Sequence, residues 1–177
     1  MKKKICMVGL YGVGKTSLVR RYLMSIFDEK YLTTIGVKVD KKEVDVNGAT
    51  VSLAIWDIAG EDVMSQVKLS HLRGAHGYIL VADGLRRASL EKADELNRRI
   101  AEEFKQELPF IFVVNKSDLR EKWEIQPADL DERRARGWEY YETSARTGVD
   151  VDRVFERLTE KMLEQDSVLT RDASDDD

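Results

Sequence analysis

The sequence predicts an α/β fold: a doubly wound, mostly parallel six-stranded sheet with one antiparallel hairpin strand and helices on both faces. Three observations predict it. Apolar runs without polar alternation at 4–8, 78–82 and 110–114 read as strands covered on both sides. Between them lie stretches with apolar residues at helical spacing, and strands alternating with helices build parallel sheets. Asn47-Gly48, set between two alternating segments, is the strongest short hairpin signal and adds one antiparallel neighbour.

Taken in order, residues 4–8 form the first strand, and 15–26 follow as a helix carrying Leu18, Val19, Tyr22, Leu23 and Ile26. Residues 27–36 lack periodicity and read as a loop. Residues 37–46 alternate as a half-exposed edge strand, with Val37 and Val39, then Val44 and Val46, as its apolar members. Residues 50–57 return with Val51, Leu53 and Ile55 on one face, and 58–77 are irregular with room for a short helix. The 78–82 strand is followed by a helix at 89–104 carrying Leu90, Ala93, Leu96, Ile100 and Phe104. After the 110–114 strand, 127–136 form a charged surface helix with Pro127 at its start and Gly137 past its end. Residues 138–142 make a last short strand, and 149–163 a closing helix with Val151, Val154, Phe155, Leu158 and Met162 inward. The domain is thus expected over 1–165, with 166–177 an acidic, low-hydrophobicity tail without fixed structure.

At 177 residues the chain suits one domain with a single core. A formal charge of −4, from 29 Lys and Arg against 33 Asp and Glu, gives no general attraction to nucleic acid. The single cysteine, Cys6, excludes an internal disulfide and reads as a small buried hydrophobe in a reducing, cytoplasmic setting. Lys2, Lys3 and Lys4 read as a solvated entry to the first strand; the apolar run behind them is too short for a signal peptide or a membrane span. Position 2 is not glycine and the last residues hold no cysteine, so no lipid anchor is expected.

Residues 9–16 read Gly-Leu-Tyr-Gly-Val-Gly-Lys-Thr, a G-x-x-x-x-G-K-[ST] loop in the strand-to-helix context it requires. Its glycines let successive backbone N–H groups turn in on phosphate, and the next helix aims its positive end at the same anion. Lys15 adds a point charge for the β- and γ-phosphates, and the Thr16 hydroxyl is a hard oxygen ligand for Mg²⁺. At the end of another strand, Asp57 precedes Gly60 by three residues, which suits a hold on Mg²⁺ and a backbone approach to the terminal phosphate, though D-x-x-G alone also serves as a plain turn. Asn115-Lys116-Ser117-Asp118 discriminates among nucleotides. A carboxylate at Asp118 matches the adjacent N1–H and N2–H₂ donors of guanine, whereas adenine presents a lone pair at N1. An ATP-dependent P-loop kinase would leave this segment unexplained.

These motifs, with Thr34-Ile35-Gly36, Trp56-Asp57-x-Ala59-Gly60 and Thr143-Ser144-Ala145, resemble the Ras-like small GTPases in order and spacing, from about residue 4 to 163. Thr34-Ile35-Gly36-Val37 and Arg73-Gly74-Ala75-His76-Gly77 bring the wording nearest to Rab-like members. The resemblance implies a G domain that binds GTP or GDP with Mg²⁺, hydrolyses GTP and signals through two switch loops. It implies that Gly12, Val13, Gly14, Lys15, Thr16 and Ser17 wrap the phosphates, and that Thr34 ligates Mg²⁺ and touches the γ-phosphate in the GTP state. Thr16, Thr34 and Asp57 then serve the metal. Phe27 and Lys116 flank the guanine ring, Asn115, Asp118 and Ser144 shape its pocket, and the Ala145 N–H, with Arg146 beside it, meets guanine O6. Gly60 bonds the γ-phosphate. Effector, exchange-factor and GTPase-activating proteins are expected to dock through residues 27–37 and 57–73, with loss of the γ-phosphate releasing both loops.

Two residues depart from the family wording. Glu61 stands where most members carry the glutamine that orients the attacking water. A carboxylate ~5 Å from the γ-phosphate repels it by roughly 3 kcal/mol at an effective dielectric of about 20. Tyr11 stands where many members have a small residue. Its ring either crowds the water or an incoming arginine, or its hydroxyl bonds the γ-phosphate or closes the first switch. With Lys15, Thr34 and Gly60 these form the candidate catalytic group of a slow GTPase; the alternative is a GTP-binding scaffold with little useful hydrolysis. His71 and His76 lack any nucleophile or ligand cluster, and Trp56 serves either packing or a partner surface.

Overall fold

The structure, a computed structural model, describes residues 1–27, 36–60, 69–104 and 107–172. Six strands form one sheet in the order β2-β3-β1-β4-β5-β6, comprising β1 (Lys2–Gly9), β2 (Val37–Val46), β3 (Ala49–Ile58), β4 (Gly77–Asp83), β5 (Phe110–Asn115) and β6 (Tyr140–Thr143). Only β2 runs antiparallel, pairing with β3 in unbroken register from Val37↔Ile58 to Val46↔Ala49. Asn47 and Gly48 both take positive φ, 51° and 80°, as the tight turn requires. The helices are α1 (Lys15–Met24), α2 (Arg87–Glu103), α3 (Pro127–Ala135) and α4 (Val151–Asp172), with 3₁₀ turns at Leu69–Leu72 and Ser117–Lys122. The predicted fold class is the one observed.

Alternation along the buried strands divides the core in two. Ile5 and Met7 join Val51, Leu53 and Ile55 under α1 and α4, packed against Tyr22 and Phe155, whose rings stack at 3.9 Å. Cys6 and Val8 face the other way, into a cluster with Leu90, Leu96, Phe112, Trp123 and Trp138 under α2 and α3. Cys6 is fully buried, as expected of a small hydrophobe, and burial pushes its thiol up to about 12. Because β2 and β3 stay in register, the change of phase between Val37, Val39 and Val44, Val46 is no bulge. The two pairs lie on opposite faces of the sheet, and Val39 stays exposed.

Several boundaries differ from the sequence reading. Helix α1 stops at Met24, since Ser25 turns left-handed (φ 53°), and Ile26 is exposed rather than inward. The last helix begins at Val151 because Gly148 and Asp150 both hold positive φ. The last strand begins at Tyr140, while Trp138 packs edge-on against Phe110 and Phe112. Helix α4 runs on to Asp172, so residues 166–172 are not the structureless tail expected; residues 173–177 lie outside the described residues. Polar bonds that composition does not display hold this extension. Lys3, only 4% exposed, donates to both Asp166 carboxylate oxygens at 2.7 Å, and Gln165 donates to the Glu107 carbonyl at 2.8 Å. Of the three lysines only Lys2 is a solvated entry: Lys4 donates to the Arg73 carbonyl at 2.8 Å and sits 3.6 Å from the centre of the Trp56 ring.

Strand β1 pairs with β3 on one side and β4 on the other, so the chain reverses its direction of travel across the sheet there. In open α/β sheets, ligands bind at the carboxyl ends of the strands beside such a reversal. The loops after β1, β3, β5 and β6 all leave from that edge.

Candidate nucleotide site

Residues 10–14 connect β1 to α1, and Gly14 at the start of the helix takes φ 101°. A Cβ there would come within 2.3 Å of the Asn115 amide nitrogen, so glycine is required on both conformational and steric grounds. The helix has no side-chain cap and no acidic residue in its first turn. No capping side chain or first-turn carboxylate therefore competes with an anion at the positive end of the helix. Lys15 is 6% exposed and donates to the Gly9 and Leu10 carbonyls at 3.0 and 3.1 Å, which bends its ammonium back over the loop.

The end of β3 lies against this loop. The Thr16 hydroxyl donates to Asp57 Oδ2 at 2.6 Å, and Asp57 is 1% exposed. Gly60 completes the cleft lined by Tyr11, Gly12, Gly14, Lys15, Thr16 and Ile58. A methyl on Gly60 would meet Lys15 Nζ and Tyr11 Cα at 2.6 Å, so the space left by the missing side chain is where the loop, the lysine and the β3 exit converge. A hydroxyl and a buried carboxylate in contact are hard oxygen donors of the kind Mg²⁺ prefers, and the residues present fit that ion.

A second group gathers at the ends of β5 and β6. Asn115, 2% exposed, donates from Nδ2 to the Val13 carbonyl at 3.0 Å, while its Oδ1 accepts from the Thr143 hydroxyl and the Ala145 N–H, both at 3.2 Å. One side chain therefore ties the phosphate loop, β5 and the loop after β6 together. Asp118 is exposed, and its Oδ1 accepts from the buried Ser144 hydroxyl at 2.8 Å. That bond orients the carboxylate. Lys116, left-handed at φ 73°, pairs through its ammonium with the fully buried Asp83 at 2.7 Å.

Arg21 was not singled out by sequence. Its Nε donates to the Ala145 carbonyl at 2.8 Å and its Nη2 to the Arg146 carbonyl, clamping α1 to the loop that carries both residues. Asp83 and Arg86 were likewise not predicted; Arg86 donates to the Tyr11 carbonyl at 2.9 Å. Nothing local marks these residues, since their partners lie 124, 33 and 75 positions away for Arg21, Asp83 and Arg86. Phe27 is 37% exposed just beyond α1, apart from the bonded groups above. Thr34 and Glu61 lie outside the described residues.

A family model described as the Ras family matches residues 4–164. The chain belongs to the Ras family. Ras-related protein Rab-13 of Bos taurus is 32% identical over 161 residues, spanning 90% of this chain and 79% of that protein. GTP-binding protein yptV2 of Volvox carteri is 35% identical over 162 residues, spanning 90% and 75%. Ras-related protein SEC4 of Saccharomyces cerevisiae is 32% identical over 164 residues, spanning 92% and 75%. The chain is accordingly a Rab-like small GTPase, a guanine-nucleotide switch and GTP hydrolase rather than a scaffold without turnover.

Proposed function

We propose that this GTPase binds GTP and GDP with Mg²⁺, hydrolyses GTP slowly, and signals from the cytoplasm through residues 27–37 and 57–73. The observation that carries the reading is the 2.6 Å contact between the Thr16 hydroxyl and the buried Asp57 carboxylate, one hydrogen bond from phosphate loop to β3 exit. Thr16 and Asp57, with Thr34, are the residues that would hold the ion, which when bound neutralises charge on the β- and γ-phosphates. Lys15 and the first-turn N–H groups of α1 bind the phosphates. Asp118, turned by Ser144, accepts the guanine N1–H and N2–H₂ donors. Asn115 and Arg21 position the loop that carries Ala145, whose N–H is held by Asn115 Oδ1 and would have to turn to reach guanine O6.

In hydrolysis, a water oxygen attacks the γ-phosphorus and the bond to the β-phosphate oxygen breaks. The electron pair stays on GDP, and the water's protons end on inorganic phosphate and in solvent. Glu61 accepts from that water but has no amide hydrogen to donate, and it adds like charge beside the phosphate. The Tyr11 backbone lies against Gly60, and Tyr11 lines the same cleft.

Single-turnover hydrolysis tests the slow-turnover reading. Glu61→Gln and Tyr11→Gly should each raise the rate by roughly tenfold, about 1.4 kcal/mol of barrier. Acceleration by neither change would show that these residues do not inhibit. Proteins captured by the chain loaded with a non-hydrolysable GTP analogue, and not by the GDP form, identify effectors. No helix among the described residues is long and apolar enough to cross a membrane.

A further inference from the structure

Arg86 is a cation beside the phosphate loop that the chemistry above leaves without a task. It stands immediately before α2, and its backbone is pinned. Its N–H donates to the Asp83 carbonyl at 2.9 Å, and its own carbonyl accepts from the Ser89 N–H at 3.0 Å and the Ser89 hydroxyl at 2.6 Å. Asp83 and Ser89 are both fully buried. From this anchored base the guanidinium reaches across to donate through Nη1 to the Tyr11 carbonyl at 2.9 Å.

Its neighbours are committed elsewhere. Arg87 grips Asp129 with two nitrogens, Arg133 and Arg136 share Asp94, and Arg157 pairs with Glu139. Among the described residues Arg86 has no ion pair with a carboxylate. A guanidinium carries five donors in a planar fork suited to phosphate oxygens, and only one of them is spent on Tyr11. Tyr11 itself lines the cleft with Lys15, Thr16 and Gly60, so this cation rests one hydrogen bond from the wall of the phosphate site.

We propose that Arg86 is a built-in arginine that leaves the Tyr11 carbonyl to engage the terminal phosphate of GTP while the β–γ bond breaks. Charge on the γ-oxygens and on the departing β-phosphate oxygen is what the guanidinium stabilises, and water and GTP alone supply the atoms transferred.

The proposal rests on the guanine-nucleotide reading of the site, and the experiment separates the two. Wild type, Arg86→Ala and Arg86→Lys are compared for affinity for GDP, for capture of aluminium fluoride with bound GDP in the absence of any partner protein, and for single-turnover hydrolysis. All three should hold GDP equally. Wild type alone should capture aluminium fluoride fully, Arg86→Lys partly and Arg86→Ala not at all. Hydrolysis should fall roughly 10³-fold in Arg86→Ala, the low end for an arginine acting on a transferring phosphoryl group. Capture and turnover of Arg86→Ala within twofold of wild type, or a wild type that holds GDP yet captures no fluoride, would overturn the proposal. A wild type that holds no GDP would instead sink the guanine-nucleotide reading, and this proposal with it.

Discussion

At the base end of the site, side chains cross-brace rigid elements. Asn115 holds the phosphate loop and the loop after β6, Ser144 holds Asp118, Asp83 holds Lys116, and Arg21 clamps the carbonyls of Ala145 and Arg146. At the phosphate end the walls include backbone of glycines 12, 14 and 60 and the long side chain of Lys15. The contrast separates two tasks. Recognition of the base needs donors and acceptors fixed in advance, because a misplaced acceptor loses its discrimination. Phosphoryl chemistry needs close backbone approach and groups that move as charge develops.

The largest expected effect comes from breaking the braced end. Asp118→Ala removes the carboxylate proposed to accept two guanine donors, at ~1.5–3 kcal/mol for each charge-assisted bond. GDP affinity should fall roughly 10²- to 10⁴-fold, with ATP competing no better than before. Because Asp118 is exposed and makes its side-chain bond at the site's rim, the fold should keep its thermal stability. Titration of a fluorescent GDP analogue, with ATP and GTP as competitors, measures both. Retention of full GDP affinity would remove Asp118 from the base pocket.

A smaller effect comes from the phosphate end. Asp57→Asn keeps an oxygen for the Thr16 hydroxyl but removes the buried charge. Mg²⁺ affinity should drop ~10–100-fold, the usual cost of losing a residue that orients a metal's ligands. The readout is GDP release as Mg²⁺ is titrated. EDTA should speed release from wild type strongly and from Asp57→Asn only slightly, since that variant releases fast at ordinary Mg²⁺. A variant with the wild-type Mg²⁺ dependence would show that Asp57 bonds Thr16 for structure alone.

Legibility in the sequence follows the same division between short and long range. The phosphate loop, the Asp57 to Gly60 step and the Asn115 to Asp118 segment are contiguous, and each lies at a strand end that hydrophobic runs reveal. The sheet, with its hairpin at Asn47-Gly48, was legible for the same reason. Bonds between distant polar residues were not. Lys3 and Asp166 lie 163 positions apart and Arg86 and Tyr11 75, and a composition-based reading assigns such residues to solvent. At the helix boundaries Ser25 and Asp150 hold left-handed positions for which glycine is the usual sequence signal.

The far pole of the sheet provides the control, and there the effect is smallest. His76 Nδ1 accepts from the Lys4 N–H at 3.0 Å, so the bond requires an unprotonated nitrogen. Partial burial, foremost, and the ammonium groups of Lys3 and Lys4 push its pKa below the ordinary value, with Asp166 pulling the other way. A depressed histidine resists the proton that the unfolded chain accepts, so its contribution to stability is intact above pH ~6.5 and is lost as pH falls through the folded value. His76 is nonetheless solvent-exposed in part, which screens the charges around it and limits the change in Tm to on the order of 1 °C. His76→Asn keeps an acceptor for Lys4 and has nothing to titrate. Thermal unfolding of both proteins between pH 7.5 and 5.5, with guanine-nucleotide affinity followed alongside, should show the wild type losing slightly more stability than the variant. Nucleotide affinity should be identical in the two. A difference in affinity would mean that this pole communicates with the phosphate loop through β1, and the separation of the two ends drawn above would fail.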